Sequence, residues 1–414
     1  MRIDDMGFVQ PVSRGGGMEK EQKKLAVYVH IPFCIKKCGY CDFLSVPASE
    51  QVRQAYVGAL KQEISGFVKR NEEVLSGYNV CSVFFGGGTP SLLSAGELSG
   101  ILKVLREKLV FSADAEITVE CNPGTLTREK LSGYRKALIN RLSIGLQSAD
   151  NLELATLGRI HTFEDFLLSY RMAREEGFSN INVDIMAALP GQTVSTYKKT
   201  LKAVVGVKPE HISAYSLILE EGTPFYECYG RKAGEKHKGE CEKCLPDEED
   251  EREMYACTKE ILLAAGYHRY EISNYAKEGM ECRHNICYWD RTSYLGFGLG
   301  AASFFDGCRY CNERNLSRYL HLTERGEQVF GECTRLSIKD GMEEFMFLGL
   351  RMTCGVSEDE FLRQFGVRLF DVYGEVIKKH VSLGLLKVEG GRVSLTDRGI
   401  DVSNSVFCDF LLDE

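Results

Sequence analysis

The chain has 414 residues, 44% of them hydrophobic, with a formal net charge of -8 and 16 cysteines. That length and apolar content suit one large domain with a smaller one and exclude a largely disordered chain. The acidic balance excludes a broad nucleic-acid-binding surface, and no apolar run reaches the length of a membrane span.

The opening stretch MRIDDMGFVQPVSRGGGMEKEQKK has early acids and no apolar core, so it does not read as a signal peptide, and the expected location is the cytoplasm. RGGG before Met18 is how a purine-rich ribosome-binding site translates. Met18 is therefore the expected true start, and residues 1–24 an expected disordered tail. In a reducing compartment the cysteines read as ligands and small core residues rather than disulfides. Six β-rich runs follow: LAVYVHI from Leu25, VCSVFFG from Val80, AEITVE from Ala115, RLSIG from Arg141, INVDIM from Ile181 and HISAYSL from His211. Between them, as in Glu50 to Lys69 and Thr193 to Val205, apolar residues recur at helical spacing. Strands alternating with helices predict an α/β fold, a partial (β/α)6 barrel over residues 25–227 with functional residues at the carboxyl ends of the strands. An extension over residues 228–336 begins with the charged loop YGRKAGEKHKGECEKCLPDEEDEREM. It continues as a helix to Ala265 and a run from Tyr267 to Phe305. Residues 337–414 show three helices, GMEEFMFLGLRM, SEDEFLRQF and LFDVYGEVIKKHVSLGLL, then the hairpin LLKVEGGRVSLT with a Gly-Gly turn. That is a winged-helix-like α+β domain, and at this charge nucleic acid is not its expected partner.

The stretch HIPFCIKKCGYCDF follows the first run and spaces Cys34, Cys38 and Cys41 as C-x3-C-x2-C. Closely spaced thiolates select zinc or an iron–sulfur cluster. Structural zinc sites are closed by four protein ligands, whereas three thiolates leave a position open. On a four-iron cluster, one iron is then free to bind something else. GGGTPS, Gly86 to Ser91, ends the second run, where glycine lets the backbone approach a ligand closely and exposes N–H groups to it.

With Tyr40 just before the last cysteine, this pattern resembles the signature of radical S-adenosylmethionine (SAM) enzymes. The resemblance runs from about Leu25 to the C-terminus and is closest to the branch of anaerobic coproporphyrinogen III dehydrogenases and heme chaperones. It implies a [4Fe–4S] cluster on Cys34, Cys38 and Cys41, its open iron taking the amino and carboxylate groups of SAM. It implies SAM contacts from Tyr28, Tyr40, Gly87, Gly88 and Thr89, and from Glu120 of VECNP, Gln147 of SIGLQS, Arg159 of LGRIH and Asp184 of NVDIMAALPGQT. Each of these alone reads as a cap, turn or surface polar group; their order at successive strand ends carries the resemblance.

Within the branch, the dehydrogenases carry another cysteine two residues after the third ligand and a longer N-terminal segment; here Phe43 stands at that place. HNICYW, His284 to Trp289, matches the HNxxYW pattern associated with the chaperones. It implies His284 as a ligand to heme iron, with Tyr288 and Trp289 on the porphyrin face; the plainer reading makes Trp289 a core anchor and His284 a hydrogen-bonding residue. One departure is Ala302, where the pattern GAHS has a histidine. The implied function is a heme chaperone that binds the cluster, SAM and heme and passes heme to acceptor proteins. An electron donor, a homodimer and transient membrane association belong to the same expectation. The alternatives are oxidative decarboxylation of coproporphyrinogen III and radical modification of heme. A simple electron carrier is disfavoured, since it would close its cluster with a fourth thiolate. Separately, Cys241 and Cys244, with Cys228 and His237 nearby, have the spacing of a small zinc site, and Cys308 with Cys311 a weaker version of it.

Overall fold

The six expected runs become six parallel strands paired in chain order: β1 (Lys23–Ile31), β2 (Tyr78–Gly87), β3 (Phe111–Cys121), β4 (Arg141–Gln147), β5 (Ile181–Ala187) and β6 (His211–Ser216). The structure is a computed structural model that describes residues 22–230 and 243–412. β1 starts at Lys23, inside the stretch expected to be a tail; residues 1–21, with His237 and Cys241 of the charged loop, lie outside the described residues. All seven residues of β4 are buried, as expected for a parallel strand covered on both faces. Helix Glu50–Arg70 is capped by Ser49, whose hydroxyl accepts from the Val52 N–H at 3.4 Å. It buries Tyr56, Leu60, Ile64 and Phe67, a stripe at spacings of three and four, against the sheet. Helix Val194–Val207 repeats the device with Thr193 as cap and Tyr197, Leu201 and Val204 inside.

The sheet is larger than the sequence predicts. β7 (His268–Arg269) and β8 (Asn274–Ala276) extend it beyond β6. On the other side β9 (Tyr294–Phe297), β10 (Ala302–Phe305), β11 (Cys308–Cys311) and β12 (Thr334–Arg335) extend it beyond β1, to twelve strands among the described residues. β9 runs parallel to β1, while β8 pairs antiparallel with β6, so both edges of the barrel are covered. The β9 side is fastened by Glu63, buried on helix Glu50–Arg70. It accepts from the Gly298 N–H at 2.9 Å, Asn312 Nδ2 at 2.7 Å and Tyr319 Oη at 2.5 Å, and burial pushes its carboxyl up to about 7. On β11, Cys308 faces the core and Cys311 solvent, which places their thiols apart rather than on one metal.

The C-terminal elements match the winged-helix-like expectation. Helices Ile338–Gly349, Glu358–Phe365 and Leu369–Ser382 enclose a separate apolar core that includes Met346, Phe361, Tyr373 and Ile377. β13 (Val356–Ser357) pairs with β15 (Arg392–Leu395), which forms the hairpin with β14 (Leu386–Glu389). Gly390 and Gly391 make its turn with φ of 56° and 71°, a region that favours glycine. No helix among the described residues is long and apolar enough to cross a membrane.

Candidate cofactor site

The cysteine loop leaves the carboxyl end of β1 and is closed at its base by backbone. The Cys34 N–H donates to the Val46 carbonyl at 3.3 Å, and the Val46 N–H to Pro32 at 2.8 Å. Its tip is tied to two later units: the Gly39 N–H donates to Leu157, and the Gly39 carbonyl accepts from the Phe225 N–H. A side chain at Gly39 would press its Cβ to 2.7 Å of the Phe225 ring. Cys34 Sγ lies 3.5 Å from Thr89 Oγ1, and Cys38 Sγ lies 3.9 Å from Arg159 Nη1. The Cys41 thiol is pushed up to about 11, mostly by burial, with the Cys34 and Cys38 sulfurs acting in the same direction, so the three thiols share one neighbourhood. No three ligating side chains among the described residues converge on a single metal ion. A cubane takes one thiolate per iron, so its ligands stand further apart than those of a mononuclear site.

The glycine run forms the floor beneath this loop. Gly87 has φ of 108°, and a Cβ there would sit 2.4 Å from the His30 ring; at Gly88 it would sit 2.7 Å from the Phe33 carbonyl oxygen. The Gly88 N–H donates to Ile31 at 2.9 Å, locking β2 under the loop. His30 stiffens the same floor. Its Nε2 donates to the Leu44 carbonyl at 2.8 Å, which leaves Nδ1 to accept from Tyr28 Oη at 3.0 Å, and burial pushes the imidazole towards its neutral form. Gly88→Val is expected to drive a side chain into the Phe33 backbone, costing about 1–3 kcal/mol locally. Iron and sulfide per chain after anaerobic reconstitution should fall by more than about half while the fold persists.

Around this floor the other expected residues converge from successive strand ends. Glu120 of β3 accepts from the Gly87 N–H at 3.1 Å, and a Cβ at Gly86 would touch both Tyr28 and Glu120. Burial raises the Glu120 carboxyl to about 8, with the charge of Asp184 on β5 adding to it. Asp184 is itself raised by burial, against donations from Asn182 Nδ2 at 2.7 Å and Ser143 Oγ at 3.4 Å. Gln147 ends β4 at φ of 72°, beyond a register shift in the β4–β5 pairing, and its Oε1 accepts from Tyr215 Oη at 3.1 Å. A non-glycine residue held in the left-handed region at a strand end marks a functional position more often than a structural one. The Arg159 guanidinium donates to Asn122 Oδ1 and the Gly145 carbonyl, both at 2.8 Å, and meets Tyr40 and Cys38. Thr89 Oγ1 accepts from Asn122 Nδ2 at 2.9 Å. His30, Asn122 and Tyr215 were missed in the sequence, although His30 sits in HIPFC and Asn122 in VECNP, within the motifs themselves.

The donor set fits both groups of a cluster-and-SAM site. It offers three thiols with an open fourth side, a glycine floor with no room for a Cβ, and buried carboxylates able to meet an ammonium or ribose hydroxyls.

His284 borders this group, its ring 6.4 Å from the Tyr28 ring. It sits on helix Arg283–Trp289, 1% exposed, under the barrel interior. Its Nδ1 is 2.9 Å from Ser82 Oγ and its Nε2 3.0 Å from Tyr288 Oη, so both ring nitrogens have protein partners. The ring stacks on Phe84 with centroids 5.0 Å apart, and burial lowers its imidazole to about 3, aided by the Arg141 charge. Ligation of iron by His284 would require giving up one of these bonds. The helix start is held from β3: Glu116 accepts from the Arg283 and His284 N–H groups at 3.2 Å each. Neither Glu116 nor Arg141 stood out in the sequence.

Two family models match the chain, the Radical SAM superfamily over residues 28–204 and the HemN C-terminal domain over residues 336–402. Fold and site thus define a radical SAM protein with a HemN-type C-terminal domain. The heme chaperone HemW of Bacillus subtilis (strain 168) is 36% identical over 387 residues, 93% of this chain and 99% of that one. HemW of Lactococcus lactis subsp. lactis is 36% identical over 393 residues, 95% and 99% of the two. The structure of coproporphyrinogen III oxidase (HemN) from Escherichia coli, a radical SAM enzyme, matches at a TM-score of 0.79 and 25% identity, covering 94% of this chain and 91% of that one. The chain belongs to the HemW family of radical SAM proteins, and with that superfamily come a [4Fe–4S] cluster and SAM.

Proposed function

We propose that this protein is a heme chaperone, binding heme and handing it to acceptor proteins. In this reading Cys34, Cys38 and Cys41 hold the cluster, and Tyr28, Tyr40, Gly87, Gly88, Thr89, Glu120, Gln147, Arg159 and Asp184 surround SAM. The observation that carries it is the match to heme chaperones over nearly the whole of both chains. Phe43 supports it, 60% exposed where the decarboxylating branch carries a further cysteine. Residues 25–227 bind the cofactors, 228–336 carry the HNxxYW helix, and 337–414 form the C-terminal domain. An electron donor, acceptor proteins, a homodimer, transient contact with a membrane and a cytoplasmic location complete the reading.

Bound at this site, the cluster and SAM supply one-electron chemistry. The chain's own groups orient them: the Gly87–Gly88 backbone keeps the floor flat, and Arg159 sets a fixed positive charge beside Cys38. Glu120 supplies a proton-linked contact. With its carboxyl at about 8, it is protonated at neutral pH when nothing cationic faces it. The permanent sulfonium charge of SAM favours the carboxylate, so the proton leaves on binding. SAM affinity is therefore expected to rise by up to about tenfold per unit from about pH 6 to about pH 8, then level off. Calorimetry across that range should show the slope, and Glu120→Gln should remove it.

The test of function is a titration of ferric heme into the cluster-loaded chain. One saturable heme per chain, still bound and intact after SAM and reductant are added, is the expected result; failure to bind heme overturns the reading. A second reading, oxidative decarboxylation of coproporphyrinogen III, is favoured by the structural likeness to the Escherichia coli oxidase.

A further inference from the structure

A cleft of about 970 Å³ opens at the end of the barrel opposite the cysteine loop, between the first residues of β1 and β2 and the C-terminal helices. β1 spans nine residues, so the two ends lie roughly 25 Å apart. One wall is the far face of the HNxxYW helix. His284 and Tyr288, four residues apart, contact each other under the barrel, whereas Ile286 and Trp289, three apart, line the cleft. Phe345, Met352 and Val356 form the facing apolar wall.

The rim is cationic although the chain carries a net charge of -8. Lys23, Lys24, Arg291, Arg363 and Arg392 line it, against three carboxylates, Asp290, Asp359 and Glu360. Arg291 faces Glu344, and Arg363 faces Glu360. Arg392 has no carboxylate partner among the described residues. It donates to the carbonyls of Cys354 and Gly355 at 2.7 Å each, and its Nη2 lies 3.5 Å from Cys354 Sγ. Cys354 is exposed at the mouth.

The volume is that of a site for a large organic ligand, about 300–1,000 Å³. An aromatic and aliphatic wall, an excess of cations at the rim and a soft sulfur at the mouth select a flat, apolar metal complex with carboxylate arms. We propose that this cleft is the heme cargo site, with the porphyrin against Trp289, its propionates on Arg392 and Lys24, and Cys354 sulfur on the iron. The inference rests on the heme-chaperone reading and locates that reading's cargo. Coordination to ferric iron releases the thiol proton to solvent and changes no oxidation state.

The test titrates ferric heme into the reconstituted full chain, followed by absorption and electron paramagnetic resonance, with cluster content and SAM binding as controls. Cys354 and Arg392 are exposed, so their replacement spares the core. Arg392→Glu is expected to weaken heme binding about tenfold or more, and Arg392→Lys to recover most of it. Cys354→Ser is expected to remove the thiolate signature of the heme, with cluster and SAM binding unchanged. If these variants bind heme as the wild type does, the cleft is not the site, although the chaperone reading stands. A wild type that binds no heme overturns both. A heme spectrum altered by His284→Ala and by neither cleft variant puts the iron under the barrel and overturns the cleft assignment.

Discussion

Replacing any one of Cys34, Cys38 or Cys41 by alanine is expected to abolish the cluster while leaving the fold within about 0.5 kcal/mol of its stability. Two thiolates do not retain a cubane that already has an open iron. The loop does not rely on metal for its course. Backbone bonds close it at Cys34 and Val46, and its tip is tied through Gly39 to Leu157 and Phe225. The substitution therefore empties a site that stays standing. Iron and sulfide should drop to background with an unchanged urea midpoint. Full iron content in a single variant would mean that another of the chain's cysteines is the ligand.

The second large effect is expected far from the cysteines. Glu116, 6% exposed, accepts from the Arg283 and His284 N–H groups and from Cys282 Sγ at 3.6 Å. The Cys282 side chain gives helix Arg283–Trp289 no cap, so the Glu116 carboxylate acts as one from another element. It also answers a buried charge. Arg141 is 1% exposed; burial works against its guanidinium, and the acidic groups around it, Cys282, Glu116 and Asp184 among them, outweigh that. Glu116→Ala strands both, and breaking such buried compensation costs about 3–5 kcal/mol. Glu116→Gln keeps an acceptor and should lose less, about 1–3 kcal/mol. Urea unfolding monitored at Trp289, the single tryptophan, measures both. A change below about 0.5 kcal/mol in Glu116→Ala would show that the helix is held by packing alone.

The six barrel strands were legible as short β-rich runs such as AEITVE and RLSIG, spaced by helical stretches. β7 to β12 were not, because strands of two to four residues carry no period to read. The cysteine spacing and the residues at the strand ends were visible as strings, and the fold gathers them around Gly87. Their mutual geometry was not visible. Nothing in VECNP announces that Glu120 caps a glycine N–H or that Asn122 bridges Thr89 and Arg159. Arg141 was visible only as the first residue of RLSIG, and packing shows it enclosed. HNxxYW was legible as a motif, with His284, Tyr288 and Trp289 expected around one heme or, on the plainer reading, as a core anchor and a hydrogen-bonding residue. Helical spacing separates it: His284 and Tyr288 on one side, Ile286 and Trp289 on another. That signal was present in the sequence and becomes decisive only when each face has a neighbour.

The central claim is that heme is cargo here and not substrate. The chain, reconstituted anaerobically with its cluster and given SAM and a reductant, should be offered coproporphyrinogen III in one vessel and ferric heme in another, with products read by mass spectrometry. Unconsumed coproporphyrinogen and one intact heme retained per chain are the expected result. Conversion to protoporphyrinogen with no heme retained would contradict the claim.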